Sequence, residues 1–236
     1  MSEQMKERLA RVGEQIARAA ERAGRRAGEI TLITVSKTFD AETVQQAVDA
    51  GVRDLGENRV QEARGKAPLI RGEGVRWHLI GHLQSNKARA AVSTFDLIHT
   101  VDSAGLAARL DQIAGELGRR LDVLIQVDLA REPTKSGAVE SDIPAIIETL
   151  DASGNLDFRG LMTLPPFFDS PEQTRPFFSR LREILESLNR NRPPERKLVE
   201  LSMGMSHDFE VAIEEGATMV RLGTAIFGPR RQVRQK

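Results

Sequence analysis

Cysteine and tyrosine are absent from this chain of 236 residues, and tryptophan occurs once. Without thiols there are no disulfides, no thiolate nucleophile and no zinc or iron–sulfur site of the thiolate type, which fits a reducing compartment. An excess of either charge is also missing. Thirty-four Lys and Arg balance thirty-four Asp and Glu, so no global field recruits nucleic acid or an anionic membrane. No apolar run approaches the roughly 18 residues needed to span a bilayer. The N-terminus lacks a signal-peptide core, and Glu3, Glu7, Glu14 and Glu21 are out of place in a transit peptide. These absences predict a soluble cytoplasmic protein with neither nucleic-acid nor membrane partners. No Ser/Gly/Pro linker divides the chain, so one domain over 1–236 is expected, with an N-terminal helix within 1–27 and a basic tail at 230–236.

What is present is an alternation. Leu9, Val12, Ile16, Ala19 and Ala23 recur at helical spacing, with Glu7/Arg11, Glu14/Arg18 and Glu21/Arg25 as i,i+4 pairs. This predicts an amphipathic helix covering a barrel or sheet end. Strand-like runs follow at about 31–36, 52–55, 76–80, 97–101, 121–128, 156–162, 197–201 and 218–222, with helical patterns between them, among them Ala41 to Ala50, Ser103 to Leu117, Ile143 to Leu150 and Pro176 to Leu188. Eight βα repeats in this length favour a closed (β/α)8 TIM barrel over an open sheet. No G-x-G-x-x-G follows the first strand, which weakens a dinucleotide-binding alternative.

The first strand ends in Lys37, and alternation places Thr31, Ile33, Val35 and Lys37 on one face. A lysine at a cavity mouth with a lowered pKa can attack an aldehyde; a strand-end lysine can equally pack its stem and hydrate its head. The other strands also end in polar groups: Glu57-Asn58, Gly81-His82, Asp102, Asp128, Met162-Thr163, Ser202-Met203-Gly204 and Arg221-Leu222-Gly223-Thr224. Barrel active sites form at that face, with phosphate commonly held after strands seven and eight. Gly204, Gly223 and Gly228 allow backbone N–H groups near an anion, and Ser202, Ser206 and Thr224 supply hydroxyls. A Ser/Gly-rich loop is by itself also an ordinary turn, but beside a mouth lysine it suggests a phosphorylated aldehyde.

Several residues read as structural. His78, Ile80 and His82 share a strand face without an acidic partner at fixed spacing, which makes the histidines hydrogen-bonded or ring-flanking groups rather than metal ligands. His99 and His207 are isolated in sequence. Ser206 is expected to cap a helix opening at His207-Asp208. Thr134-Lys135-Ser136-Gly137 reads as a solvated turn, the tail Arg230, Arg231, Arg234 and Lys236 as frayed, and Phe167, Phe168, Phe177 and Phe178 as packing a loop and helix on the barrel.

Six segments in order, Thr34 to Lys37, Gly56 to Glu62, His78 to Lys87, Gly160 to Met162, Ser202 to Ser206 and Arg221 to Gly228, resemble the pyridoxal 5′-phosphate homeostasis proteins. The resemblance runs from about residue 30 to residue 229. It implies a single barrel like the N-terminal domain of alanine racemases, holding pyridoxal phosphate as a Schiff base on Lys37. It further implies Asn58 beside the cofactor ring, Arg221 facing the pyridine nitrogen, Met203 near the ring, and Ser202, Gly223 and Thr224 on the phosphate, with His82 and Gly204 also among the cofactor-binding positions. Asp128 stands where the family usually has Asn, so its role does not carry over. The implied activity is binding and supply of the vitamin without catalytic turnover, with pyridoxal-phosphate-requiring apo-enzymes as partners and a monomer, at most weakly dimerising, as the expected state. The alternative is a racemase-like enzyme. Alanine racemases recruit a tyrosine from a second domain, and this chain has no tyrosine and ends where that domain would begin, which favours the carrier.

Overall fold

The computed structural model describes residues 2–131 and 136–228. After helix α1 (Ser2–Arg22), the chain alternates: β1 (Thr31–Val35), α2 (Ala41–Asp49), β2 (Asp54–Glu57), α3 (Val60–Lys66), β3 (Arg76–Leu79), α4 (Ala88–Thr94), β4 (Leu97–Val101), α5 (Ala104–Glu116) and β5 (Leu121–Gln126). It continues through α6 (Ile143–Asp151), β6 (Leu156–Met162), α7 (Arg175–Asn189), β7 (Glu200–Met205), α8 (Phe209–Glu214), β8 (Met219–Leu222) and α9 (Thr224–Phe227). The eight strands pair in parallel in sequence order and β8 returns to β1, for example through Thr31 against Met219 and Ile33 against Arg221. The expected closed (β/α)8 barrel is the observed one.

Local chemistry sets the elements. Asp40 accepts the Thr43 N–H at 2.8 Å to open α2, and Ser103 accepts the Leu106 N–H to open α5, each satisfying a donor that the first helical turn leaves orphaned. Strand β4, Leu-Ile-His-Thr-Val, is buried along its whole length, as a strand packed on both faces must be. Ile33, Leu97, Leu124, Met162 and Met219 fill the barrel. A larger apolar layer, including Leu55, Leu79, Ile98, Leu161 and Met203, joins the strands to the helices.

Three sequence expectations change. First, α1 stands beside the barrel rather than over an end. It packs on α8, α9 and α2, and Arg25 donates to the Ile213 and Ala217 carbonyls. The helix after β8 has only four residues, so α1 supplies the cover that the β8–β1 seam otherwise lacks. Second, β2 and β7 lie further along the chain than the apolar runs suggested, so Glu57 closes β2 and Ser202-Met203-Gly204 fall inside β7. Polar residues and glycines at these positions hide the strands from a hydrophobicity reading. Third, Ser206 does not cap α8; Asp208 occupies the cap position, and its carboxylate accepts the Met205 N–H at 2.6 Å. The basic tail at 230–236 and part of Thr134-Lys135-Ser136-Gly137 lie outside the described residues. Phe178 is buried and Phe168 stacks on Phe177, but Phe167 is 74% exposed, against His207.

Candidate functional site

Lys37 follows β1 by two residues and is half-buried at the C-terminal mouth. The backbone around it is held from outside the barrel. Ser36 N–H donates to the Gly56 carbonyl at 3.0 Å, its hydroxyl donates to Glu57 Oε1 at 2.7 Å, and Lys66 from α3 donates to the Ser36 carbonyl and to Glu57 Oε1. Glu57 is fully buried; burial pushes its carboxyl up, against the opposing pull of Lys66 and Ser36. Thr38, next after Lys37, has φ of 70°. A β-branched residue in the left-handed region is strained by about 1–3 kcal/mol, and the Glu62 carboxylate accepts its N–H at 3.0 Å. The turn is therefore fixed on both sides of the lysine. Phe39 stacks on Phe227 with ring centroids 4.4 Å apart, tying this turn to α9.

Just after the next two strands, Asn58 and His82 come to the same rim. A Cβ at Gly81 would lie 2.3 Å from the Asn58 carbonyl oxygen, so only glycine lets the β2 and β3 loops meet this closely. His82 is exposed and lies 3.4 Å from the Asp102 carboxylate at the end of β4. Asn58, His82, Arg59, Gln84 and Lys87 line a crevice of about 380 Å³ beside the mouth. Asp128 accepts the Ala130 and Arg131 N–H groups, which makes it a turn residue.

Strands β7 and β8 separate residues that looked like one cluster. Arg221 points inward and is 3% exposed; it donates to the Ser202 hydroxyl at 2.6 Å and to the Thr163 carbonyl at 2.9 Å. Burial pushes its guanidinium down to about 10, partly offset by the nearby Asp208 carboxylate, so Arg221 remains a cation at neutral pH. Among the described residues, no carboxylate pairs with it directly. Ser202 is fully buried, and its hydroxyl lies between Arg221 and His99 rather than in the loop expected to hold a phosphate. Met203 is fully buried in the apolar layer between strands and helices, because alternation turns it outward when Ser202 points in. Gly204 has φ of 93°, and a Cβ there would lie 2.6 Å from Ala212 Cβ, so it serves the packing of α8 on the strand. The hydroxyls that do converge are Ser206 and Thr224, 3.4 Å apart, beside Gly223, whose carbonyl accepts the Ile226 and Phe227 N–H groups.

Below the mouth runs a line of polar groups that sequence spacing did not reveal. His99 Nδ1 is 2.9 Å from Ser202 Oγ, His99 Nε2 is 3.0 Å from His78 Nδ1, and His78 Nε2 is 2.9 Å from Asp54 Oδ1. Burial first, then the neighbouring His78 and Arg221, push the His99 imidazole well below its ordinary range. Burial works to raise the Asp54 carboxyl, but His78 and Arg76 outweigh it and hold the group below its usual value. The acidic partner that His78 lacked within its own strand comes from the neighbouring one. The one legible signal was period two: Asp54 and Gly56 on β2 lead to Asn58 just beyond it, and His78 on β3 leads to Ile80 and His82 just beyond it.

These groups fit a ligand that carries an aldehyde, a heteroaromatic ring and a phosphate: an amine on a fixed turn, a buried guanidinium at the centre, and two hydroxyls over a short helix at the rim. Residues 9–231 match the family described as alanine racemase, N-terminal domain. The chain is 42% identical over 225 residues to a pyridoxal phosphate homeostasis protein of Aquifex aeolicus, covering 95% of this chain and 98% of that one. Among solved structures it is similar to PipY of Synechococcus elongatus PCC7942. The form without PLP is 43% identical with a TM-score of 0.86, and the form with PLP bound is 42% identical with a TM-score of 0.84; each covers 95% of this chain and 100% of PipY.

Proposed function

Since this chain belongs to the pyridoxal phosphate homeostasis protein family, we propose that it binds pyridoxal 5′-phosphate at the C-terminal mouth of its barrel and acts in holding and supplying the cofactor. Lys37 is the covalent anchor, Arg221 faces the pyridine nitrogen, Asn58 and His82 flank the ring, and Ser206, Gly223 and Thr224 take the phosphate. When bound, the cofactor supplies an aldehyde carbon that accepts an amine. The chain's own residues then position and restrain it. Ser36, Glu57, Lys66 and Thr38 fix the turn that carries the anchoring amine. Arg221, cationic and already donating to Ser202 and Thr163, offers the ring nitrogen a donor and no proton acceptor, which leaves the ring a poor electron sink. That arrangement of Arg221 is the observation that carries the reading of a carrier rather than a racemase. The absence of tyrosine supports it, since no phenol is available as the second proton-transfer group. Delivery to apo-enzymes that require the cofactor follows from a site at the open mouth.

The test is the absorption of the purified protein mixed with pyridoxal phosphate, followed by borohydride reduction and peptide mapping. A yellow species with the phosphopyridoxyl group on the Lys37 peptide is expected. A label confined to Lys87 or Lys135 would overturn the assignment. Lys37→Ala should fold normally and remain colourless.

A further inference from the structure

An interior line of polar groups runs from Arg221 through the barrel, and its role rests on Arg221 facing the cofactor ring. Each link has a hydrogen-bond distance: Arg221 to Ser202 2.6 Å, Ser202 to His99 2.9 Å, His99 to His78 3.0 Å and His78 to Asp54 2.9 Å. Ser202 and His99 are fully buried and His78 is 1% exposed, so water cannot replace a missing partner, and each donor needs an acceptor within the chain. Arg221 can only donate, so it sets the direction at one end; Asp54, which also takes Arg76, can only accept and sets it at the other. With Ser202 accepting from Arg221 and donating to His99 Nδ1, His99 Nε2–H donates to His78 Nδ1 and His78 Nε2–H donates to Asp54. The hydroxyl hydrogen of Ser202 and the ring hydrogens of His99 and His78 are then all placed. The reversed order would give Ser202 two donors and leave its own hydrogen without an acceptor along the line.

We infer that His99, His78 and Asp54 are positioning residues for Arg221: they form a one-directional hydrogen-bond line through the barrel, with both imidazoles in the neutral Nε2–H form. The line answers the guanidinium from a carboxylate at the opposite end of the strands. Aligned donors polarise one another, so the distant charge steadies Arg221. The nearer groups facing Arg221 are the Thr163 carbonyl from the end of β6, the Ser202 hydroxyl from β7 and the Asp208 carboxylate from the turn before α8, which attracts it without a direct contact. A carboxylate seated beside the ring would instead help to protonate its nitrogen. The line removes the need for one there and so maintains the state of Arg221 on which the carrier function depends.

Nitrogen-15 NMR of the imidazoles in the cofactor-free, full-length protein at pH 7.5 reads the line directly. Both His78 and His99 should show a protonated Nε2 and an unprotonated Nδ1; an imidazolium at either residue, or Nδ1–H on His99, overturns the inference. His99→Leu breaks the line while leaving the mouth residues in place, and should weaken pyridoxal phosphate about tenfold and shift the absorption of the bound cofactor. Unchanged affinity and absorption in a folded His99→Leu protein would reduce the line to core filling and also overturn the inference. If that variant does not fold, the nitrogen assignment in the unaltered protein decides alone. A Lys37 that takes no borohydride label in the unaltered protein would overturn the site reading itself, and is distinguishable because the NMR measurement uses no cofactor.

Discussion

Lys66 Nζ lies 2.7 Å from Glu57 Oε1, and the same ammonium reaches the carbonyl of Ser36, the residue before Lys37. The pair is nearly out of solvent, at 12% and 0% side-chain exposure. Removing one member of a buried pair strands the other, at a cost of roughly 3–5 kcal/mol. Lys66→Met should therefore lower unfolding stability by about 3 kcal/mol, while Glu57→Gln combined with Lys66→Met recovers much of the loss. Urea denaturation of the three proteins measures this, and a single variant as stable as the parent would contradict it.

The phosphate should supply a large share of the affinity, since charge-assisted hydrogen bonds are each worth roughly 1.5–3 kcal/mol. Titration should then find pyridoxal several powers of ten weaker than pyridoxal phosphate. Ser206→Ala and Thr224→Val, which remove the two converging hydroxyls, should each weaken pyridoxal phosphate about tenfold and leave pyridoxal almost unaffected. Ser202→Ala should weaken both ligands alike, because its hydroxyl serves Arg221 and His99. A Ser202→Ala effect confined to the phosphorylated ligand would return Ser202 to the anion site.

Racemase or decarboxylase turnover with common amino acids should be negligible in the cofactor-loaded protein. Chiral chromatography of alanine and a panel of other amino acids checks this. Turnover at about 1 per second or faster, within the ordinary enzyme range, that vanishes in Lys37→Ala would replace the carrier reading with an enzymatic one.

Asp54 should make stability pH-dependent in a defined direction. Its carboxyl lies below the ordinary value in the fold. It therefore contributes stability that is fully present above the unfolded value of about 3.9 and is lost as pH falls through the lower folded value. Asp54→Asn keeps an acceptor for His78 but removes the charge, and should cost roughly 1–2 kcal/mol at pH 6. Denaturation across pH 6 to 3 should show the gap between the two proteins closing at the acid end; a constant gap would assign the loss to packing instead.

The barrel was legible because it is repeated eight times: each β-branched run and helical period marks one βα unit, and misplacing β2 and β7 by a few residues leaves the count unchanged. Lys37, Asn58, Arg221 and Thr224 were legible because strand ends and period two place them at one mouth by geometry that any parallel barrel shares. The sequence alone thus determined the architecture, the chemistry available at the mouth, and the exclusion of thiol and phenol chemistry. Tertiary structure decided which inward positions meet. Ser202 and Ser206 are four residues apart, yet one joins a buried guanidinium and the other a rim hydroxyl, because β7 runs further along the chain than its apolar residues indicate. His78, His99 and Asp54 come from three strands whose relative register no single-strand pattern encodes. The cover of the β8–β1 seam by α1 belongs to the same class, since the shortness of α9 becomes a demand for another helix only once β8 has closed onto β1.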